Sequence, residues 1–281
     1  MLGGSREDYV RTVCGMYDSL VKLFVRQIRA LGDNVIATGR NASTKLSHLK
    51  ETGASILDLD VSAPPNVIEA KLAEAWTLYP GGIDVVVNNA GYILSGAVEE
   101  LTNQEMEDIF RTNVHGPLNV TRAILPKLRA KGKGTLLYIS SQAAWHADPG
   151  AAGYCASKFA LEGAVECLAL ELAIFAPGIK VLIVEPGYFR TRAFANINHV
   201  PPRIPAYAEF NTSILLFPGD AEKAVSIMVA LVKGTGVAAG KEIPLRVPLG
   251  SDGWARVRTK CQNMIKICDE WEAVAKSTDI E

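Results

Sequence analysis

The sequence has no run of about 18 apolar residues, so it does not predict a membrane-spanning helix. Its first eight residues, 1–8, are too polar for a signal peptide. The net charge is only −1, and no basic stripe or acidic tail indicates a nucleic acid or a strongly charged partner. We therefore expect a cytosolic protein with no membrane span and no nucleic-acid partner.

Metal-binding patterns are also missing. None of the cysteines form a Cys-x-x-Cys pair, and the four histidines do not have the spacing of zinc ligands. An odd number of scattered cysteines is typical of free thiols in a reducing compartment, and they lie at Cys14, Cys155, Cys167, Cys261 and Cys268. We expect no metal site.

The chain contains no long Ser/Gly/Pro linker and no block of charge that would separate two domains. Its 48% hydrophobic and 21% charged residues allow a large core and argue against disorder. We therefore predict a single domain over residues 1–281.

Strand-like and helix-like patterns alternate along this domain. Apolar runs predict strands at residues 34–38, 54–61, 83–87, 134–140 and 179–184. Helical patterns lie between and after them, at residues 20–31, 65–78, 103–131, 153–175 and 254–277. This order predicts an α/β fold, a single doubly wound parallel sheet of Rossmann type with helices on both faces.

Polar or turn-forming residues follow three of these strands directly. Asn88, Ser141 and Pro186 each come at or just after a strand's last residues. In open parallel sheets, ligands bind beyond the carboxyl ends of the strands. The candidate site therefore lies at this edge of the sheet.

Tyr154 and Lys158 are spaced i, i+4, so they share one helix face. A phenol with a pKa of about 10 is a poor acid or base at neutral pH, and a nearby cation lowers that pKa. Tyr154 can then exchange a proton with a carbonyl or alcohol, while Ser141 holds the substrate oxygen. Taken singly, the same residues also fit a chance helical spacing and a helix cap.

In order along the chain, Asn88-Asn89-Ala90-Gly91, Asn113, Ser141 and the run Tyr154-Cys155-Ala156-Ser157-Lys158 resemble the short-chain dehydrogenase/reductase family, over roughly residues 24–281. The resemblance implies that Asn113 sits at a helix irregularity holding a water that relays protons. It implies that Lys158 also binds the nicotinamide ribose. It further places a group of residues along the cofactor, namely Asn89, Ala90, Gly91, Phe189 and Thr191.

The choice of cofactor depends on the end of the second strand. An acidic residue there would bind the ribose 2′-hydroxyl, but residues 37–41 contain no acid and include Arg40, which suits a 2′-phosphate. We predict NADPH rather than NADH, although Arg40 also fits a solvated surface cation. By resemblance, Asp60 contacts the adenine amine, and its alternative is a turn residue.

The glycine-rich loop T-G-x-x-x-G-x-G of the family is nearly absent. Its positions fall on Cys14, Gly15, Ser19 and Val21, so Gly15 alone is kept. Three explanations stay open: weak cofactor binding, a non-catalytic binding or interaction module of degenerate dehydrogenase fold, or an altered segment 1–22 on an otherwise intact enzyme. The filled positions from Phe24 onward favour an enzyme.

Two segments should close over the nicotinamide, residues 143–153 and a lid within 188–218. Their apolar side chains predict a medium or large apolar carbonyl or secondary alcohol as substrate, and they are Trp145, Phe194, Tyr207, Phe210, Leu215, Leu216 and Phe217. The resemblance is to steroid- and retinol-type members and to fungal reductases of secondary metabolism. We expect a homodimer or homotetramer, with a C-terminal helix at 250–277 packed on the core or on a neighbouring subunit.

Overall fold

A computed structural model describes residues 10–14, 18–190, 197–207 and 219–280. Seven of its strands form one parallel sheet in the order β3-β2-β1-β4-β6-β7-β9. These strands are β1 (Val10–Cys14), β2 (Asn34–Gly39), β3 (Ser55–Asp58), β4 (Val85–Asn88), β6 (Gly134–Ile139), β7 (Ile179–Pro186) and β9 (Arg246–Leu249). A separate parallel pair joins β5 (Leu94–Ser95) to β8 (Asn198–His199).

Helices cover both faces of the sheet. Those described are α1 (Asp18–Ala30), α2 (Ala42–Lys45), α3 (Pro65–Thr77), α4 (Asn103–Phe110), α5 (Gly116–Lys131), α6 (Ala152–Phe175), α7 (Ala221–Lys233), α8 (Ser251–Glu270) and α9 (Glu272–Lys276). Buried apolar residues of α1 and α7 form one core with the sheet, and those of α3, α5 and α6 form a second. The predicted doubly wound fold is confirmed.

The atypical N-terminal segment supplies the central strand. β1 pairs in parallel with β2 on one side and β4 on the other, so Arg11 is in register with Val35 and Val85. Thr12 in this strand is fully buried. Gly15 lies outside the described residues, whereas Val21 of α1 is fully buried in the core with Phe24.

The predicted strands and helices are present with different ends, and the structure divides some of them and adds others. Residues 103–131 form two helices instead of one, because a π-helical turn at Arg111–His115 separates α4 from α5. Strand β9 extends the sheet beyond β7, and α7 adds a helix to the first core. In the part of the chain that the structure describes, no helix is both long and apolar enough to cross a membrane.

Candidate active site

A cleft opens at the carboxyl ends of the central strands and encloses about 720 Å³ of space, counting the part open to solvent. It is bordered by α1, the loop after β4, the end of β6, the start of α6, the loop after β7, and α7. The lining residues that were predicted for the site are Asn89, Gly91, Ser141, Tyr154, Lys158 and Phe189. The parallel sheet therefore brings together side chains that are far apart in sequence, as expected for strand ends.

Lys158 is the most constrained of these residues. Its side chain is buried, and Nζ donates a hydrogen bond to the Ile139 carbonyl at 2.9 Å, at the last residue of β6. Burial lowers the Lys158 pKa to about 8, because removal from water disfavours the ammonium. The ammonium therefore releases its proton far more readily than a surface lysine.

Tyr154 lies on the same face of α6, one turn earlier. The Lys158 ammonium is 5.8 Å from the centre of the Tyr154 ring, so the i, i+4 spacing does bring cation and phenol together. The Ser141 hydroxyl borders the same cleft and accepts a hydrogen bond from the Ala143 N–H at 3.1 Å. Because that bond uses a lone pair, the Ser141 proton can still be donated to a ligand oxygen.

Asn113 sits in the π-helical turn, an irregularity of the kind the resemblance implied at this residue. Its Oδ1 accepts from the Tyr92 N–H, and its Nδ2 donates to the Tyr92 carbonyl, each at 3.0 Å. The same Nδ2 donates to the Ser157 hydroxyl at 3.0 Å. Asn113 thus fastens the loop after β4 to helix α6.

Sequence reasoning missed Tyr92 and Ser157 as members of this group. Ser157 is fully buried, and its hydroxyl donates to the Tyr154 carbonyl at 2.7 Å while accepting from Asn113. The signal available in the sequence was a serine inside the Tyr154–Lys158 run, whose hydroxyl would need partners if it were buried. Tyr92 acts here through its backbone, which no side-chain pattern reveals.

The loop after β4 offers both polar groups and room. Asn88 and Asn89 are buried, and among the described residues no acceptor lies within hydrogen-bonding reach of either amide nitrogen. At Gly91, a β-carbon would lie 3.1 Å from Asn113 Oδ1 and 3.8 Å from Lys158 Nζ. The missing side chain therefore keeps the floor of the cleft open beside the lysine, and Ala90 is half-buried next to it.

The other predicted cofactor residues lie at different depths. Phe189 is buried after β7 and lines the cleft, while Arg40 is exposed after β2. Asp60 accepts from the Ser62 N–H at 2.9 Å and from the Ser62 hydroxyl at 2.6 Å, so one carboxylate oxygen serves a turn. Gly15 and Thr191 lie outside the described residues.

Two of the predicted substrate-lining residues, Trp145 and Tyr207, belong to the described part of the chain. The Arg246 guanidinium lies 5.6 Å from the Trp145 ring centre, and the Tyr207 hydroxyl bonds Glu99 at 2.9 Å. Neither lines the cleft formed by the described residues. Phe194, Phe210 and residues 215–217 lie outside the described part.

A buried charge cluster lies behind the cleft, and the sequence did not indicate it. Glu162 of α6 and Glu185 of β7 are almost fully buried, and Arg246 of β9 bonds Glu162 directly. Arg246 also lies 3.6 Å from Glu185 and bonds the exposed Glu166 at 2.6 Å. We call these four residues the Arg246 cluster.

Two carboxyl groups and one cation share this interior. Burial raises the Glu162 pKa to about 7, with the neighbouring Glu185 adding to the rise, and burial also raises the Glu185 pKa. A raised folded-state pKa means that the folded chain binds more protons than the unfolded chain. The contribution of Glu162 to the free energy of unfolding therefore falls as pH rises from about 4.5 to about 7.

Comparison with known proteins identifies a family. The sequence model described as "short chain dehydrogenase" matches residues 10–201. Oxidoreductase calM of Penicillium decumbens is 36% identical over 248 residues, 82% of this chain and 80% of that protein.

Two solved structures agree with this match. A short-chain dehydrogenase from Streptomyces avermitilis has a TM-score of 0.86 and 35% identity, over 98% of this chain and 100% of that one. A variant of actinorhodin polyketide ketoreductase with NADPH has a TM-score of 0.70 and 28% identity, over 88% of this chain and 97% of that one.

The Arg246 cluster gives a testable stability effect. Arg246→Met leaves Glu162 and Glu185 buried without their cation, so we expect a loss of about 3–5 kcal/mol at pH 8. The loss should be clearly smaller at pH 5, where both carboxyl groups can stay protonated. Urea unfolding at both pH values measures it.

A matched control is Lys71→Met, which breaks the exposed 2.9 Å pair with Glu74 and should cost under about 1 kcal/mol. Adding Glu162→Gln and Glu185→Gln to Arg246→Met should recover most of the loss at pH 8. An equal loss at pH 5 and pH 8 would show that packing, and not charge, is responsible.

Proposed function

Because the chain belongs to the short-chain dehydrogenase/reductase family of NAD(P)-dependent oxidoreductases, we propose that it uses NADPH to interconvert a carbonyl and a secondary alcohol. The proposed substrate is a medium or large apolar small molecule of the kind handled in secondary metabolism. The observation that carries this proposal is the buried Lys158 ammonium beside the Tyr154 ring at the edge of the cleft.

The residues present fit a dinucleotide. The Asn89 amide nitrogen, which has no acceptor among the described residues, and the open floor at Gly91 provide a hydrogen-bonding group and space along one wall of the cleft. Lys158 has two ammonium protons beyond the one given to Ile139, and these suit ribose hydroxyls. When bound, the nicotinamide supplies or accepts the hydride.

The chain's own side chains handle the proton and the developing charge. In reduction, Tyr154 donates its phenolic proton to the substrate oxygen, and in oxidation it takes that proton back. The nearby Lys158 cation stabilises the phenolate left behind. Ser141 donates a hydrogen bond to the same substrate oxygen, which lowers the barrier as negative charge grows there.

Asn113 acts by position in this scheme. Its three hydrogen bonds hold the Tyr92 backbone and Ser157 next to α6, so the phenol and the ammonium keep one geometry. Family resemblance adds a bound water that relays protons toward Lys158.

The proposal of an apolar substrate depends on the residues around the catalytic group. Ile93 and Phe189 border the cleft on the side of the loops after β4 and β7, where a substrate would meet Tyr154. The polyketide ketoreductase among the structural neighbours supports an aromatic or polyketide-like ketone. The remaining apolar side chains of this proposal belong to the part of 188–218 that lies outside the described residues.

Removal of one hydroxyl tests the proton donor. Tyr154→Phe should lower the kcat for carbonyl reduction by at least about a hundredfold, because a positioned general acid contributes that much. Cofactor affinity and the unfolding midpoint should change little. Tyr79→Phe, which removes a hydroxyl bonded to Ser55 at 2.9 Å and away from the cleft, is the matched control and should keep full activity. Substantial activity in Tyr154→Phe would refute the assignment.

Arg40 tests the preference between cofactors. Arg40→Asp should weaken NADPH binding by at least about tenfold and leave NADH binding unchanged or improved, because only the 2′-phosphate needs the cation. Lys45→Asp reverses a neighbouring exposed charge and should affect both cofactors slightly and equally. Fluorescence titration with each cofactor measures this, and equal losses in Arg40→Asp would mean that Arg40 does not contact the phosphate.

A second candidate function is a non-catalytic binding module, which the fully buried Val21 at a glycine position of the family favours. In the close helix–strand packing of dinucleotide folds, that glycine leaves space that a branched side chain fills. If this reading holds, the chain binds NADPH weakly as it stands.

Replacing residues 8–22 with a family-like strand and glycine loop separates the two functions. On the enzyme reading, the exchanged chain gains NADPH affinity and reduces apolar ketones in a manner that Tyr154→Phe abolishes. NADPH binding without reduction of a broad panel of ketones and aldehydes would favour the binding module. Tight NADPH binding by the original chain would show that the altered loop is no obstacle.

A further inference from the structure

The C-terminal helices carry an apolar stripe that the rest of the described residues leave largely exposed. Among the described residues, α8 contacts the body at its start, through buried Gly253 and the 2.9 Å ion pair of Arg256 with Asp148, and Val257 and Cys261 are half-buried. From residue 262 to residue 280 every side chain is exposed. Such a long exposed apolar face is unusual for a monomer and typical of an interaction surface.

The stripe follows a heptad spacing. Alternating steps of three and four residues connect its members, which are Trp254, Val257, Cys261, Met264, Cys268, Trp271 and Ala275. Trp254 is 54% exposed, Met264 44% and Trp271 60%. Three consecutive heptads of this kind are the pattern of a helix that packs along another helix.

The stripe continues past the end of α8 at Glu270. Trp271 is the single residue between α8 and α9, and its N–H donates to the Ile267 carbonyl at 3.0 Å. The Ala275 N–H in turn donates to the Trp271 carbonyl at 2.9 Å. At 1.5 Å per residue, the stripe is about 30 Å long.

Opposite charges lie towards the two ends of this stripe. Residues 256–260 contain three cations and no acid, whereas residues 269–272 contain three acids and no cation. Two parallel copies would place like charges side by side, and two antiparallel copies place each basic end against an acidic end. Flanking charges of this kind set the orientation of helix pairs.

We propose that the stripe of α8 and α9 pairs with the same stripe of a second copy of this chain in antiparallel orientation. The partner is a second copy because the complementary ends make the surface match itself under a twofold rotation. Opposed helix dipoles add to the preference for the antiparallel arrangement.

One register satisfies both the apolar and the charged positions. Met264 packs against Cys268 of the second copy, and Cys261 packs against Trp271 of the second copy. Arg258 then flanks Glu272 of the second copy. Within one chain, Arg258 lies over the Trp254 ring at 5.4 Å and Glu272 bonds exposed Lys276, and both are weak surface contacts that leave room for the new pair.

Sedimentation of the full chain tests the surface. Met264→Glu puts an unpaired charge in the stripe. The dissociation constant of the association step that pairs the two stripes should therefore rise at least about tenfold. Asn263→Glu adds the same charge at the next residue, outside the stripe, and should associate like the original chain. Arg258→Glu and Glu272→Arg should each weaken that step, and their combination should restore it.

Disulfide trapping tests the orientation independently of other interfaces. Met264→Cys should form a covalent dimer under mild oxidation, through Cys268 of the second copy, and Asn263→Cys should not. Adding Cys268→Ser should abolish the dimer. Retention of the cross-link without Cys268 would indicate parallel pairing and overturn the proposal. Failure of Met264→Cys to cross-link, with unchanged association of Met264→Glu, would overturn it as well.

Discussion

The hydrogen bond from the Lys158 ammonium to the Ile139 carbonyl joins helix α6 to the carboxyl end of strand β6. A buried ammonium is costly unless its donors are used, so this bond fixes where the first turns of α6 can lie. Tyr154 is carried into the cleft by the same turns, and Ser141 follows Ile139 by two residues. The positions of three proposed functional groups therefore depend on how one cation is accommodated.

Around this bond, other buried polar side chains hold the neighbouring segments in place. Asn113 uses both ends of its amide to tie the loop after β4 to α6 through Tyr92 and Ser157. One turn beyond Lys158, Glu162 lies in the Arg246 cluster, and its carboxylate favours the ammonium form of Lys158. The interior is thus a set of coupled charges, in which α6 contacts a group on β9 as well as on β6.

Much of the fold and of the cleft was predictable because strand–helix alternation and strand ends are local signals. The place of Ser141 at the cleft followed from the strand ends, whereas Tyr154 and Lys158 were identified by their i, i+4 spacing together with the family resemblance. The role of Arg246 was not predictable, because its partner Glu162 is 84 residues away and a lone arginine at the start of a short strand has no local signature. The irregularity at Asn113 was implied only by the family resemblance, because the residues themselves predict one continuous helix over 103–131.

Strand β9 connects the Arg246 cluster to the C-terminal helix α8. Its first residue is Arg246, and it continues through Leu249 and Gly250 directly into α8. There Asp252 accepts the Tyr188 N–H at 2.7 Å, while the Gly187 N–H bonds the Leu249 carbonyl at 2.8 Å. The rim of the cleft after β7 is therefore held by the root of the helix that bears the exposed stripe. Gly187 and Tyr188 directly precede Phe189, so the place of Phe189 in the cleft depends in part on how α8 begins.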